Sequence, residues 1–350
     1  MTSENVQADE VNEPAKTSRF HITTTVASIS TDSRVPGDVV AFKFGGTSVL
    51  GAERMLHASQ IVRSAACSSS VVVIVSAMKG VTDHLLAIGT ALENGKLAAA
   101  KHEAESVIAT HLAVLRDLQL AEPDDLRVRR EMLSLAQDLL HDVAVKSTVT
   151  GHPELLDRLA SYGERFSARL LAAALEKSGV VSVPVTSSEF VRTCETFRDA
   201  RPDLLETRER GRDVLLPLLE DAVVPVVTGF IGATPDGRIT TLGRNSSDFS
   251  GAIIAHVVDA DELIIWTDVD GIYTANPRED QEAQLLHEMS YDDAHALAKS
   301  GAKVLHASVL PLAAQTEMVV WVRNTFNPNG RGTRIGPRAD LSPSVNGSKS

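Results

Sequence analysis

The sequence predicts an α/β fold, a mainly parallel central sheet sandwiched by helices and divided into two lobes around a cleft. Three observations carry this. Short β-branched runs such as Val71–Val75 and Glu262–Thr267 alternate with longer stretches of helical periodicity, the signature of βαβ units. The strand-like runs end in glycine, serine and threonine, as they do where a parallel sheet opens a crevice at its carboxyl edge. With 350 residues, 43% of them hydrophobic, the chain can bury one large core or two lobes sharing a cleft.

Composition excludes several classes of function. The net charge of −12, with no basic stripe to offset it, repels nucleic acid and anionic membranes. No apolar run reaches the length of a membrane span. The two cysteines, Cys67 and Cys194, stand far apart without metal or disulfide spacing, which points to a reducing, cytoplasmic setting. The 11 histidines are scattered, with no cluster suited to a caged transition metal.

Taken in order, residues 1–36 read as a disordered leader, rich in Ser, Thr and Glu. Val39–Phe44 is an apolar strand running through Lys43 into Gly45-Gly46-Thr47-Ser48, with a helix expected over Gly51–Ser64. Glycines let backbone N–H groups approach an anion, the hydroxyls add donors, and Lys43 places a charge beside them. The lysine precedes the glycines, so this is not a Walker A loop, and a plain tight turn is the competing reading. Val71–Val75 follows, ending in the turn Ser76–Thr82. From about Asp83 to Ser178 the chain is helical, broken at Glu122–Asp125 and Thr150–Pro153. Strands return at Val180–Val185 and Val223–Thr228, with Gly229-Phe230 after the second and a hairpin turn at Pro235-Asp236-Gly237.

A further βα unit begins with Gly243–Asp248 before a helix over Phe249–Val258, and the strand Glu262–Thr267 comes next. We place a lobe boundary near Pro225, giving an amino-terminal lobe over 37–225, a carboxy-terminal lobe over 226–336 and a disordered tail over 337–350. Asn245–Asp248 fits a capping box with Asn245 as N-cap. Arg244 beside that helix N-terminus, together with Asp248, also suits a carboxylate and an ammonium, the two groups of an amino acid. Trp266–Arg278 reads either as a β-turn centred on Asp270-Gly271 or as a nucleotide loop. Glu164, early in a helix, has a dipole role or an ammonium-binding one. Lys303 stands at a helix–loop junction, where an exposed lysine is the bland reading.

In this order the segments Lys43–Val49, Ser76–Thr82, Gly163-Glu164-Arg165, Gly229-Phe230, Leu242–Asp248, Trp266–Thr274, Pro277-Arg278 and Gly301–His306 resemble the catalytic domain of aspartate kinases, in the amino-acid kinase superfamily. The likeness runs from about Val39 to Ile335. It implies the amino-acid kinase fold and ATP-dependent phosphorylation of the side-chain carboxylate of L-aspartate, the entry to lysine, threonine and methionine biosynthesis. By motif, Lys43, Gly45, Gly46, Ser48 and Asp248 serve phosphoryl transfer. Ser76, Thr82, Glu164, Phe230, Arg244, Ser247 and Asp248 hold aspartate, with the nucleotide-binding lobe carrying Thr267, Asp268, Tyr273, Arg278 and Lys303 for ATP. Mg²⁺ is then held chiefly by ATP and water, with no protein metal site. A homodimer through the amino-terminal lobe follows family habit.

Three departures from the family pattern stand out. Asn276 replaces the usual acid before Pro277, and Ala307 the usual proline after His306. Only about 15 residues follow Ile335, too few for the paired ACT domains of most relatives, so feedback control is expected to need a separate regulatory subunit. The competing readings are an aspartate kinase of a specialised natural-product pathway, a kinase for another carboxylate, and a non-catalytic subunit that binds amino acid or nucleotide. The intact Lys43, Arg244, Asp248 and Lys303 set weighs against the last.

Overall fold

The computed structural model describes residues 38–145, 153–243, 246–275, 280–299 and 305–337. The segments read as leader and tail lie outside them.

The apolar, β-branched runs form the interior of one sheet. β1 (Val39–Phe44) lies between β2 (Ser70–Val75) and β7 (Glu262–Thr267), parallel to both. β2 pairs in parallel with β4 (Val224–Thr228), and β4 with β3 (Ser182–Val185). On the other side β7 pairs in parallel with β11 (Val319–Asn324); β12 (Thr333–Ile335) adds the one antiparallel step and β10 (Glu288–Met289) completes the edge. The eight-stranded order is β10-β12-β11-β7-β1-β2-β4-β3. Hence the expected α/β sandwich with a mainly parallel sheet is what forms. The boundary placed near Pro225 falls inside β4, a strand of this continuous sheet.

Strand alternation sorts the core into two layers. Val71, Val73 and Val75 join Phe42, Phe44 and Trp266 on one face, while Val72 and Ile74 join Ala41, Leu263 and Ile265 on the other. The first face is covered by α1 (Ala52–Ala65), α2 (Val81–Glu93), α3 (Leu97–Leu118), α4 (Asp124–Val145) and α5 (Pro153–Lys177). The second is covered by α6 (Leu204–Glu220), α7 (Ser247–Val257), α8 (Tyr291–Lys299) and α9 (Val309–Thr316). No helix among the described residues is long and apolar enough to cross a membrane.

Two small hairpins decorate the sheet. β5 (Ile231–Ala233) and β6 (Ile239–Thr241) are joined through the Pro235-Asp236-Gly237 turn, where Gly237 holds φ 86°. β8 (Ile272–Tyr273) pairs with β9 (Leu285–Leu286). The sequence reading assigned none of β8 to β12.

Of the helices, α5 does most to shape the carboxyl edge of the sheet, because it passes directly beneath the turn after β2. Gly163 makes this approach possible: a Cβ there meets Ala77 Cβ at 2.7 Å and Val81 Cγ1 at 3.2 Å. Gly163→Ala therefore forces α5 from that turn. We expect it to cost about 1–3 kcal/mol, read as a lower denaturation midpoint; an unchanged midpoint counts against this packing.

Candidate active site

All the parallel strands of the central sheet present their carboxyl ends at one edge, and there the glycine and hydroxyl turns converge. The first turn, after β1, is stitched to its neighbours by its backbone. The Gly45 N–H donates to Trp266 O at 3.1 Å, and the Lys79 N–H donates to Gly46 O at 3.1 Å. A Cβ on Gly46 lies only 2.6 Å from Ala77 O, so the two turns close on each other only with glycine at this position.

Ser48 does something other than line a phosphate cradle. It is fully buried, its Oγ 2.7 Å from Thr325 Oγ1 and donating to Trp266 O at 3.3 Å. The hydroxyl fastens the end of the turn to β7 and the segment after β11, away from the cavity.

That cavity, of about 430 Å³, is lined by Lys43, Gly46, Ser76, Thr82, Glu164, Phe230, Ser247, Asp248 and Thr267, nine of the residues singled out from sequence. They come from seven separate stretches of chain. Phe230 holds φ 66°, a left-handed conformation uncommon for an aromatic residue, and its N–H donates to Ser250 Oγ on α7 at 2.7 Å. Gly229 sits where a Cβ meets Ser247 Cβ at 3.3 Å, so the start of α7 rests on this turn.

Lys43 Nζ lies 2.7 Å from Asp248 Oδ1, with both side chains largely buried. The contact is ionic, because Oδ1 takes no well-directed hydrogen bond. Oδ2 accepts the His306 N–H at 3.3 Å, which ties the end of the Gly301–His306 segment to the same carboxylate. Beneath them Glu164 is 3% exposed, and its Oε2 has no partner among the described residues. Burial pushes its carboxyl up to about 8, against the pull of backbone N–H groups at Ala77 and Glu164 and of the Lys43 charge.

Such an edge, with a lysine–aspartate pair over a buried acid, can be compared with known proteins. The sequence matches the amino acid kinase family over residues 38–324, most of its length. The chain belongs to that family. Among amino acid kinases it is 33% identical over 309 residues to the lysine-sensitive aspartokinase 3 of Escherichia coli, covering 87% of this chain and 66% of that protein. To the chloroplastic aspartokinase 1 of Arabidopsis thaliana it is 32% identical, covering 88% and 54%. Its structure resembles that of E. coli aspartokinase III in complex with aspartate and ADP, with a TM-score of 0.79 at 32% identity over 87% of this chain and 66% of that one. The chain thus spans two thirds or less of these relatives' length. Carbamate kinase from Giardia lamblia, at 13% identity and a TM-score of 0.53, shares the fold alone.

Within this amino acid kinase the remaining sequence-selected residues fall into two groups. Gly45 supports the turn, and Asp268 and Tyr273 stand outside the cavity lining, Asp268 exposed and Tyr273 half-buried in β8. Arg244, Arg278 and Lys303, like Asn245 and Asn276, lie outside the described residues. The residue before α7 is Ser246, whose side chain forms no cap hydrogen bond, so the capping box has no support from it.

Sequence reasoning passed over Lys79, Asp157, Arg198 and Thr241, which also line the cavity. Asp157 carried a usable signal: it precedes Glu164 by seven residues on α5, which places both on one face of the helix. It is 2% exposed and accepts hydrogen bonds from the backbone of Arg198 and Thr241 and from the Thr241 hydroxyl.

The raised Glu164 carboxyl makes a prediction about stability. The folded protein keeps this proton up to about pH 8, whereas the unfolded chain loses it near 4.5. Its contribution to stability is complete below about pH 4.5 and declines as pH rises to about 8. Glu164→Gln cannot ionise, so its thermal midpoint should exceed the wild-type value at pH 8 by a margin that shrinks toward pH 4.5. A pH-independent offset between the two curves contradicts this.

Proposed function

We propose that this chain is an aspartate kinase: it transfers the γ-phosphoryl group of ATP to the side-chain carboxylate of L-aspartate, giving 4-phospho-L-aspartate and ADP. The observation that carries the reading is the cavity in which the Lys43–Asp248 pair stands over a buried carboxyl with a free oxygen. The aspartokinases among the relatives support it.

A carboxylate nucleophile is already ionised at neutral pH and needs no general base. One of its oxygens forms a bond to the γ-phosphorus while the bond to the bridging oxygen breaks, and ADP leaves with that electron pair. The work left for the protein is to bring two anions together and neutralise the charge that builds between them. Lys43, on the central strand, is the cation placed for this, with Asp248 holding its ammonium in position until the phosphates arrive. The tight Gly45-Gly46 turn offers backbone N–H groups without side chains in the way. Glu164 takes the substrate's ammonium, with Arg244 on its α-carboxylate, and Ser76, Thr82, Phe230 and Ser247 shape the pocket. Thr267, Asp268, Tyr273, Arg278 and Lys303 serve the nucleotide.

Mg²⁺ fits this arrangement as the companion of ATP. No group of three or more His, Cys, Asp or Glu side chains among the described residues is placed to hold a metal, so phosphate and water oxygens supply most of its ligands. When bound it supplies charge neutralisation at the phosphates. We place the enzyme in the cytoplasm, as a homodimer.

Hydroxamate trapping with ATP, Mg²⁺ and either aspartate or glutamate tests the reading, and product with aspartate is expected. Absence of acyl phosphate with any amino acid would instead favour a binding subunit. Lys43→Ala should lower turnover by about two orders of magnitude or more while calorimetry still shows ATP binding; near-normal turnover would sink the assignment of Lys43.

Binding an ammonium requires ionised Glu164, so the KM for aspartate should fall as pH rises, by about eightfold between pH 7 and 8.5. A flat KM profile over that range removes Glu164 from the substrate site.

A further inference from the structure

Arg198 is the least expected residue of the cavity wall. It holds φ 70°, a region that residues with side chains rarely enter and that costs energy unless the surroundings impose it. The surroundings do impose it. The Arg198 N–H donates to Asp157 Oδ2 at 2.8 Å, and the same carboxylate receives the Thr241 N–H at 2.9 Å and the Thr241 hydroxyl at 2.7 Å. The loop around Arg198 is fastened at its base, by Cys194 N–H to Arg201 O at 3.0 Å and Ala200 N–H to Thr241 O at 2.9 Å. Its neighbour Phe197 lies under the Arg238 guanidinium, 5.4 Å from ring centre to charge.

All this restraint displays a side chain that is itself exposed and whose guanidinium makes no hydrogen bond or ion pair among the described residues. Lys43, by contrast, is neutralised by Asp248. Asp157 and Glu164 lie two turns apart on one face of α5, so the loop hangs along the wall that carries the unpartnered Glu164 oxygen. A planar, permanently charged fork beside a buried acid is suited to a carboxylate next to an ammonium.

We infer that Arg198 is a specificity-determining residue that joins Arg244 in binding the α-carboxylate of the amino-acid substrate, with Asp157 as the positioning residue that holds it in its left-handed conformation. This rests on the reading of the cavity as an acidic amino-acid site. A role in packing alone leaves no reason to present an unpaired guanidinium to the cavity from a strained backbone.

The test compares L-aspartate with its α-amide, in which that carboxylate is neutral, as substrates for hydroxamate formation. Arg198→Gly should raise the KM for aspartate about tenfold with kcat within twofold, while the KM for the α-amide moves less than twofold. The same variant relaxes the backbone, so its Tm should rise by about 2 °C. Arg198→Ala should show the same KM split without the gain in Tm. Asp157→Asn should raise the aspartate KM in the wild-type background and add little to Arg198→Gly. An unchanged ratio of the two KM values in both Arg198 variants, with an active wild type, overturns this inference alone. A wild type that gives no product with aspartate overturns the functional reading as well.

Discussion

The contact between Lys43 and Asp248 is the constraint around which the rest of the cavity is arranged. Lys43 belongs to β1, with strands on both sides, and so has little freedom to move. Asp248 stands in the first turn of α7, which approaches β1 closely enough that a Cβ on Gly251 meets Lys43 Cβ at 3.3 Å. A buried ion pair of this kind adds little net stability, because desolvation offsets most of the attraction. Losing one partner is a different matter, since it strands a charge in the interior. The pair is therefore better understood as a position held ready: a cation kept at the sheet edge, ionised and aligned, at modest net cost.

Backbone conformation supplies the rest of the geometry. Around the cavity Gly80, Phe230, Gly243 and Arg198 all carry positive φ, and Gly46 allows two turns to touch. Each turn follows or supports a strand end, and hydrogen bonds cross between them: Ser76 N–H to Phe44 O, Gly229 N–H to Val75 O, Leu242 N–H to Phe230 O. A parallel sheet alone gives a row of strand ends. It is these crossings that turn the row into a rigid rim, which is what preorganised charge stabilisation requires.

Much of this was legible in the sequence, for identifiable physical reasons. β1, β2, β4 and β7 are continuous apolar runs because both faces are covered, and such runs announce themselves. The turns after them are short and glycine-marked, so most of the lining residues could be named. Ser48 could not be placed, because a hydroxyl after two glycines reads the same whether it faces an anion or Thr325. β11 was missed although Val319–Asn324 alternates plausibly, and β12, at three residues, is too short to stand out. Arg198 and Thr241 have no local signature at all: their importance comes from Asp157, 41 and 84 residues away in sequence. Contacts at that separation are made by topology, and a pattern read along the chain does not contain them.

The cavity also resolves an apparent conflict in charge. A protein of net charge −12 has to admit an acidic amino acid and a nucleotide triphosphate under the proposed function. Lys43, Lys79 and Arg198 gather at the one edge where these anions meet. The acids facing them are individually occupied or neutral: Asp248 by Lys43 and the His306 N–H, Asp157 by three hydrogen bonds, and Glu164 by the proton that burial makes it keep. The empty cavity thus presents a positive field although carboxyl groups line it. An ammonium that docks on Glu164 replaces that proton, and the buried acid ionises only when its counter-charge is in place. The site avoids an unpaired buried carboxylate in both states, and a proton released to solvent accompanies the arrival of the substrate.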